Sequence, residues 1–154
     1  MMKMLTNTMT MMIMIKNLVI IDDTDYKREN IKGYMSKLLK SIKVYEFSFI
    51  NEALRFLCIK NFEEIKNKPN EWLIVTDMVM PRYSDSRLIK DGGMEVLAEL
   101  ERRGFECPVI VASSGDLDTE ACKKEYENVI GVVKESSSVY NLEKYRSILR
   151  KYLE

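Results

Sequence analysis

The chain contains no histidine. That absence excludes every Ser–His and Cys–His nucleophile and every histidine-ligated metal, leaving carboxylate, hydroxyl and lysine chemistry. Cysteine is scarce: Cys58, Cys107 and Cys122 are too few, too scattered and odd in number for a disulfide framework or a zinc site. They are expected as small buried side chains in a reducing compartment. No apolar run reaches the about 18 residues of a membrane span, so no membrane partner is expected and the location reads as cytoplasmic. Charge of one sign is also missing, because 24 Lys+Arg balance 24 Asp+Glu. A nucleic-acid partner is therefore not expected, since such domains carry a net basic footprint.

What is there suits one globular domain: 154 residues, 46% hydrophobic and 31% charged. Residues 1–14 stand apart, crowded with Met1, Met2, Met4, Met9, Met11, Met12 and Met14. Lys3 followed by residues 9–15 has the outline of a signal peptide, but Asn7 and the threonines dilute it. No small-residue cleavage site follows before Lys16. This stretch is read as a disordered tail or an over-extended start, and residues 15–154 as the folded domain.

From Lys16 onward, apolar runs alternate with amphipathic stretches. Leu18-Val19-Ile20-Ile21, Trp72-Leu73-Ile74-Val75, Val109-Ile110-Val111-Ala112 and Val129-Ile130-Gly131-Val132-Val133 have the continuous apolar character of strands covered on both faces. Val44, Phe47 and Phe49, interrupted by Glu46 and Ser48, predict a more polar strand at a sheet edge. Helical spacing runs through Ile31, Tyr34, Met35, Leu38 and Leu39, and through Ala53, Leu54, Leu57, Cys58, Phe62 and Ile65 over residues 51–66. It returns in Met94, Val96, Leu97 and Leu100, closed by Gly104, and in Leu142, Tyr145, Leu149 and Tyr152, with Ser137 or Ser138 as cap. A short helix is expected over 117–126. Five βα units in alternation predict an α/β fold: a doubly wound parallel sheet with right-handed crossovers.

In open parallel sheets ligands bind beyond the carboxyl ends of the strands. Those ends carry Asp22 and Asp23, Asp77, Ser113 and Lys134, so four of five strands deliver a polar group to one edge. Three carboxylates gather closely only around a cation, because like charges oppose one another's ionisation. With no histidine present, the matching counter-ion is a hard metal, and Mg2+ suits one or two carboxylates with water and phosphate. A carboxylate also serves as a nucleophile toward phosphorus, giving an aspartyl phosphate. Ser113 and Lys134 would then meet the phosphoryl oxygens. Asp25 is expected to cap the first helix.

The order Asp22-Asp23, Asp77-Met78-Val79-Met80-Pro81, Gly93-Met94-Glu95-Val96-Leu97, Pro108 to Ser114 and Val132-Val133-Lys134 resembles the receiver domains of two-component response regulators. The resemblance spans about residues 16–154. It implies the flavodoxin-like (βα)5 sheet with strand order 2-1-3-4-5, and Asp77 as phosphoacceptor. It further implies Asp22 and Asp23 as Mg2+ ligands, joined by Asp77 and the backbone carbonyl of Val79. Ser113 would be the switch hydroxyl and Lys134 the phosphate-binding lysine. The partner would be a sensor histidine kinase or a histidine phosphotransfer protein. The chain would catalyse only its own phosphorylation and dephosphorylation, as a stand-alone receiver in phosphorelay signalling through protein contacts.

Three features depart from that pattern. Gly131 stands where an aromatic switch residue is usual, and Glu135 where a proline is usual. The loop between Pro81 and Gly93 is longer, and its Arg82, Tyr83, Arg87 and Lys90 are candidates for a lid or recognition element beside Asp77. These departures keep open a receiver-like interaction module that works without phosphorylation. A phosphatase of the haloacid dehalogenase type also uses an aspartate nucleophile and Mg2+, but Val79 stands where it needs a second acid. Tyr140, Tyr145 and Tyr152 on the last helix are expected in the core and at its boundary, with part of the set offering a docking face.

Overall fold

The computed structural model describes residues 14–81, 88–89, 92–113, 125–134 and 140–153. Strands β1 (Asn17–Ile21), β2 (Lys43–Phe47) and β3 (Trp72–Thr76) come first in the chain. They are followed by a short hairpin, β4 (Met80–Pro81) with β5 (Leu88–Ile89), and then by β6 (Val109–Ser113) and β7 (Val129–Lys134). The main sheet has five strands in the order β2-β1-β3-β6-β7, all paired in parallel. Counting main-sheet strands alone, this is the expected 2-1-3-4-5 order. The antiparallel β4–β5 pair lies outside it, and the two-residue strands had no legible signal in the sequence.

Helices α1 (Asp25–Leu38), α2 (Ile50–Arg55), α3 (Phe62–Asn67), α4 (Gly92–Arg102) and α5 (Tyr140–Ile148) cover both faces. One core packs Val19, Ile21, Ile74 and Val111 against Ile50, Leu57, Val96 and Leu100. The other packs Leu18, Ile20, Val75 and Ala112 against Ile31, Met35, Tyr145 and Leu149. Alternate residues of one strand thus enter opposite cores, so β1, β3 and β6 are buried at every position. β2 is the partly exposed edge its composition predicts.

The single helix expected over 51–66 is divided. After α2 the chain widens into a π turn at Phe56–Lys60, then breaks at Asn61 before α3. Asn61 causes the break: both its backbone N–H (3.0 Å) and its side-chain amide (3.1 Å) donate to the Phe56 carbonyl, a local alternative to the α ladder. Cys58 and Cys107 are buried free thiols as expected. Cys122, residues 117–124 of the helix expected over 117–126 and the Ser137–Ser138 cap lie outside the described residues. So do the Met-rich residues up to 13. Tyr145 is fully buried against the Tyr34 ring, 5.6 Å between centroids, which places it in the core. Among the described residues no helix is long and apolar enough to cross a membrane.

Candidate functional site

Parallel pairing brings the ends of β1 and β3 together. The ladder runs to Ile21 opposite Thr76, and the Asp77 N–H still donates to the Ile21 carbonyl at 2.8 Å. Asp22 is held on the other side, its N–H donating to the Phe47 carbonyl at 3.0 Å. The first residue past each strand is therefore a buried aspartate, and the two share one cleft. Asp23 joins them. One carboxylate oxygen from each of Asp22, Asp23 and Asp77 lies within 4.8 Å of the other two.

The turn after β3 is shaped around Asp77. Its Oδ1 accepts the Met78 N–H at 2.7 Å, which orients the carboxylate, and Thr76 Oγ1 donates to the Asp77 carbonyl at 3.0 Å. Gly93, in the first turn of α4, donates its N–H to the Met78 carbonyl at 2.9 Å. A Cβ at Gly93 would collide with the Asp77 carbonyl oxygen and lie 2.6 Å from Met78 Sδ. Only glycine lets α4 approach the Asp77–Met78 turn this closely, which gives Gly93 its physical reason.

Lys27 is the residue that sequence reading missed. It sits in the first turn of α1, almost wholly buried. Its Nζ donates to Asp77 Oδ2 at 3.0 Å and lies 3.1 Å from Asp22 Oδ2. The second contact is an ion pair off the hydrogen-bonding direction, so Asp22 Oδ2 is buried without a hydrogen-bond donor. The signal was present: Lys27, Ile31 and Met35 are spaced four apart and form the buried stripe of α1. A lysine had continued an apolar stripe by one turn toward the acidic strand ends. Next to it, Arg28 Nη1 donates to the Asp22 carbonyl at 2.6 Å and fastens the helix start to β1.

The electrostatics follow from burial. Desolvation pushes the Asp22 carboxyl up to about 6, and the Asp77 charge adds to this, while Lys27 and the Thr24 N–H act against it. Burial alone would lower the Lys27 ammonium, but the charges of Asp22 and Asp77 outweigh it and raise it. Asp25, expected as the cap of α1, is instead its first helical residue and pairs with Arg28; Thr24 holds the cap position.

The remaining predicted residues divide. Ser113 ends β6, buried, and is paired in register with Lys134 at the exposed end of β7. Both therefore stand at the same carboxyl edge as the aspartates. Val79 lies in the bend that follows Asp77. Arg82, Tyr83, Arg87 and Lys90 lie outside the described residues. At Gly131 the structure supplies a reason for the missing aromatic. A Cβ there would come within 2.5–2.7 Å of three atoms of Ile148, because α5 seats that side chain on the bare strand.

The donor set is entirely oxygen, converges from two strand ends and includes one buried oxygen lacking a hydrogen bond. These residues fit a hard divalent cation, with the Lys27 ammonium at the same oxygens.

No family model matches the chain, and no curated protein matches it in sequence. Solved structures match its fold. It is similar to a response regulator receiver domain protein from Clostridium thermocellum (21% identity, TM-score 0.62), covering 90% of this chain and 94% of that one. The Mn2+-bound form of response regulator Rcp1 matches at 20% identity and TM-score 0.64, over 90% and 95% of the two chains. The signal receiver domain of a Luxo repressor protein from Vibrio parahaemolyticus matches at 16% identity and TM-score 0.60, over 91% of each. The chain has the fold of the response-regulator receiver domains.

Proposed function

We propose that this chain is a receiver that accepts a phosphoryl group on Asp77 from a phosphohistidine of a sensor histidine kinase or a histidine phosphotransfer protein. An Asp77 carboxylate oxygen attacks phosphorus, the P–N bond breaks and the donor imidazole leaves. Asp22, Asp23, Asp77 and the Val79 carbonyl are the ligands we assign to Mg2+. An ion held by these residues would supply charge neutralisation to the transferring phosphoryl oxygens. Ser113 and Lys134 are the groups we assign to the bound phosphoryl, and the output is contact with another protein. The observation that carries this reading is the convergence of three carboxylates within 4.8 Å on adjacent parallel strand ends.

One feature favours a second reading, an interaction module that works unphosphorylated: both oxygens of Asp77 are already engaged, by Met78 and Lys27. One experiment separates the two. The full chain is incubated with a small phosphodonor and Mg2+, and its intact mass is measured beside that of Asp77→Asn. A gain of one phosphoryl group, labile to base and absent from Asp77→Asn, is the expected result. No gain in the wild type would refute phosphorylation and leave the module.

A further inference from the structure

The acceptor pocket already holds a cation of its own. Lys27 Nζ stands 3.0 Å from Asp77 Oδ2 and 3.1 Å from Asp22 Oδ2, bridging the two buried carboxylates that end β1 and β3. We propose that Lys27 is the resident counter-ion of this pocket, and that a divalent metal binds Asp22 and Asp77 only by displacing it. A magnesium ion needs oxygens at about 2.0–2.1 Å, inside the space the ammonium fills. Once the metal satisfies the carboxylates, the ammonium loses its partners, and a lysine cation buried without them is costly.

The arrangement is built to hold and to release. Arg28 fixes the first turn of α1 to the Asp22 carbonyl, which sets where the Lys27 stem begins. Tyr26, its neighbour, is about two-thirds exposed, so solvent lies one residue from the buried stem. The four-carbon lysine chain has the reach to carry its ammonium outward by rotation, without moving the helix. Asp22 Oδ2 is near the ammonium charge yet accepts no hydrogen bond, so one ligand position is incompletely satisfied by lysine and open to a better cation. In the metal-free state the lysine substitutes for the ion: it keeps two buried carboxylates from facing one another unneutralised.

This inference rests on the acceptor reading only in taking a divalent cation as the pocket's second occupant. It is tested on the full chain with Mn2+ and Mg2+ as the probes. Mn2+ affinity is measured by loss of the free-ion paramagnetic resonance signal, and thermal stability is measured with and without Mg2+. Wild type, Lys27→Met and Lys27→Gln are compared, with Asp77→Asn to locate the ion. We expect either neutral variant to bind Mn2+ at least tenfold more tightly than wild type, with the gain lost when Asp77→Asn is added. Without metal both variants should melt lower than wild type, and Mg2+ should restore them while raising wild type far less.

If Lys27 has a purely structural role, its removal lowers stability by the same amount with and without Mg2+ and leaves Mn2+ affinity unchanged. That result overturns the proposal. If Lys27→Met does not fold without metal, Lys27→Gln and the metal-dependence of refolding give the same comparison. A chain that takes no phosphoryl group yet shows the crossed pattern retains this inference while losing the acceptor reading. Phosphorylation without the crossed pattern retains the acceptor reading and overturns displacement of Lys27.

Discussion

Replacing Gly131 tests how the last helix is docked. The position faces Ile148, and an added Cβ would stand 2.5, 2.6 and 2.7 Å from its Cδ1, Cγ1 and Cγ2. The terminal methyl can swing aside, but Cγ1 and Cγ2 are attached at Cβ of a β-branched residue and move only with its stiff χ1. Two effects therefore oppose each other in Gly131→Ala. The strand gains about 0.5–1 kcal/mol from losing a glycine, and overpacking against Ile148 costs about 1–3 kcal/mol. We expect a net loss of about 1 kcal/mol for Gly131→Ala. Gly131→Phe should lose more, because its whole ring must displace α5.

The interaction is isolated by adding Ile148→Ala, which removes the three obstructing atoms. In that background Gly131→Ala should become neutral or stabilising, a coupling of about 1–2 kcal/mol. Urea unfolding followed through Trp72, the single tryptophan and a buried one, measures each member of the cycle. Additive losses, with coupling below about 0.5 kcal/mol, would refute the seating of Ile148 on Gly131.

Other expectations follow from the site. With its carboxyl raised from 3.8 to about 6, Asp22 binds its proton more tightly folded than unfolded. Its contribution is therefore full below about pH 4 and is lost as pH rises toward 6, by roughly 3 kcal/mol at most. Metal-free urea midpoints that fall across this window in wild type, and fall less in Asp22→Asn, are the expected outcome; equal slopes would count against it. Gly93→Ala should lose about 2–3 kcal/mol, the upper part of the overpacking range, because its new Cβ meets the Asp77 carbonyl and Met78 Cα and not only a flexible side-chain end. Thermal melts beside Gly33→Ala, where a Cβ meets nothing within 4 Å, provide the control. Burial pushes the Cys107 thiol up to about 12, so a thiol reagent should label it only after unfolding, as peptide mapping would show.

Much of the architecture was legible because burial on both faces writes itself into composition. A strand such as Leu18-Val19-Ile20-Ile21 needs apolar residues at every position, and the first aspartate marks where the sheet ends. The helix break at Asn61 was not legible, since a side-chain amide reaching back to a carbonyl leaves the apolar spacing of 51–66 untouched. The acidic site was half visible. Asp22, Asp23 and Asp77 stood out as acids after apolar runs, whereas Lys27 was concealed as one charged residue among many in a mixed helix. Its spacing of four from Ile31 marked its face, but only the approach of α1 to β3 determines what that face meets.

By itself, then, the sequence determined the four apolar strands and the more polar edge strand, the alternation with helices and the residues delivered to one edge, because periodicity and burial are local properties of the chain. Tertiary structure decided the rest. Residues 22, 27 and 77 are distant or differently placed along the chain, and parallel pairing of β1 with β3 under α1 sets the Lys27 ammonium 3.1 Å from Asp22 and 3.0 Å from Asp77 as a charged cluster. The same holds for Gly131, whose emptiness acquires meaning only when α5 lays Ile148 across it. Close contacts between elements depend on how side chains interlock in three dimensions, and no one-dimensional spacing carries that information.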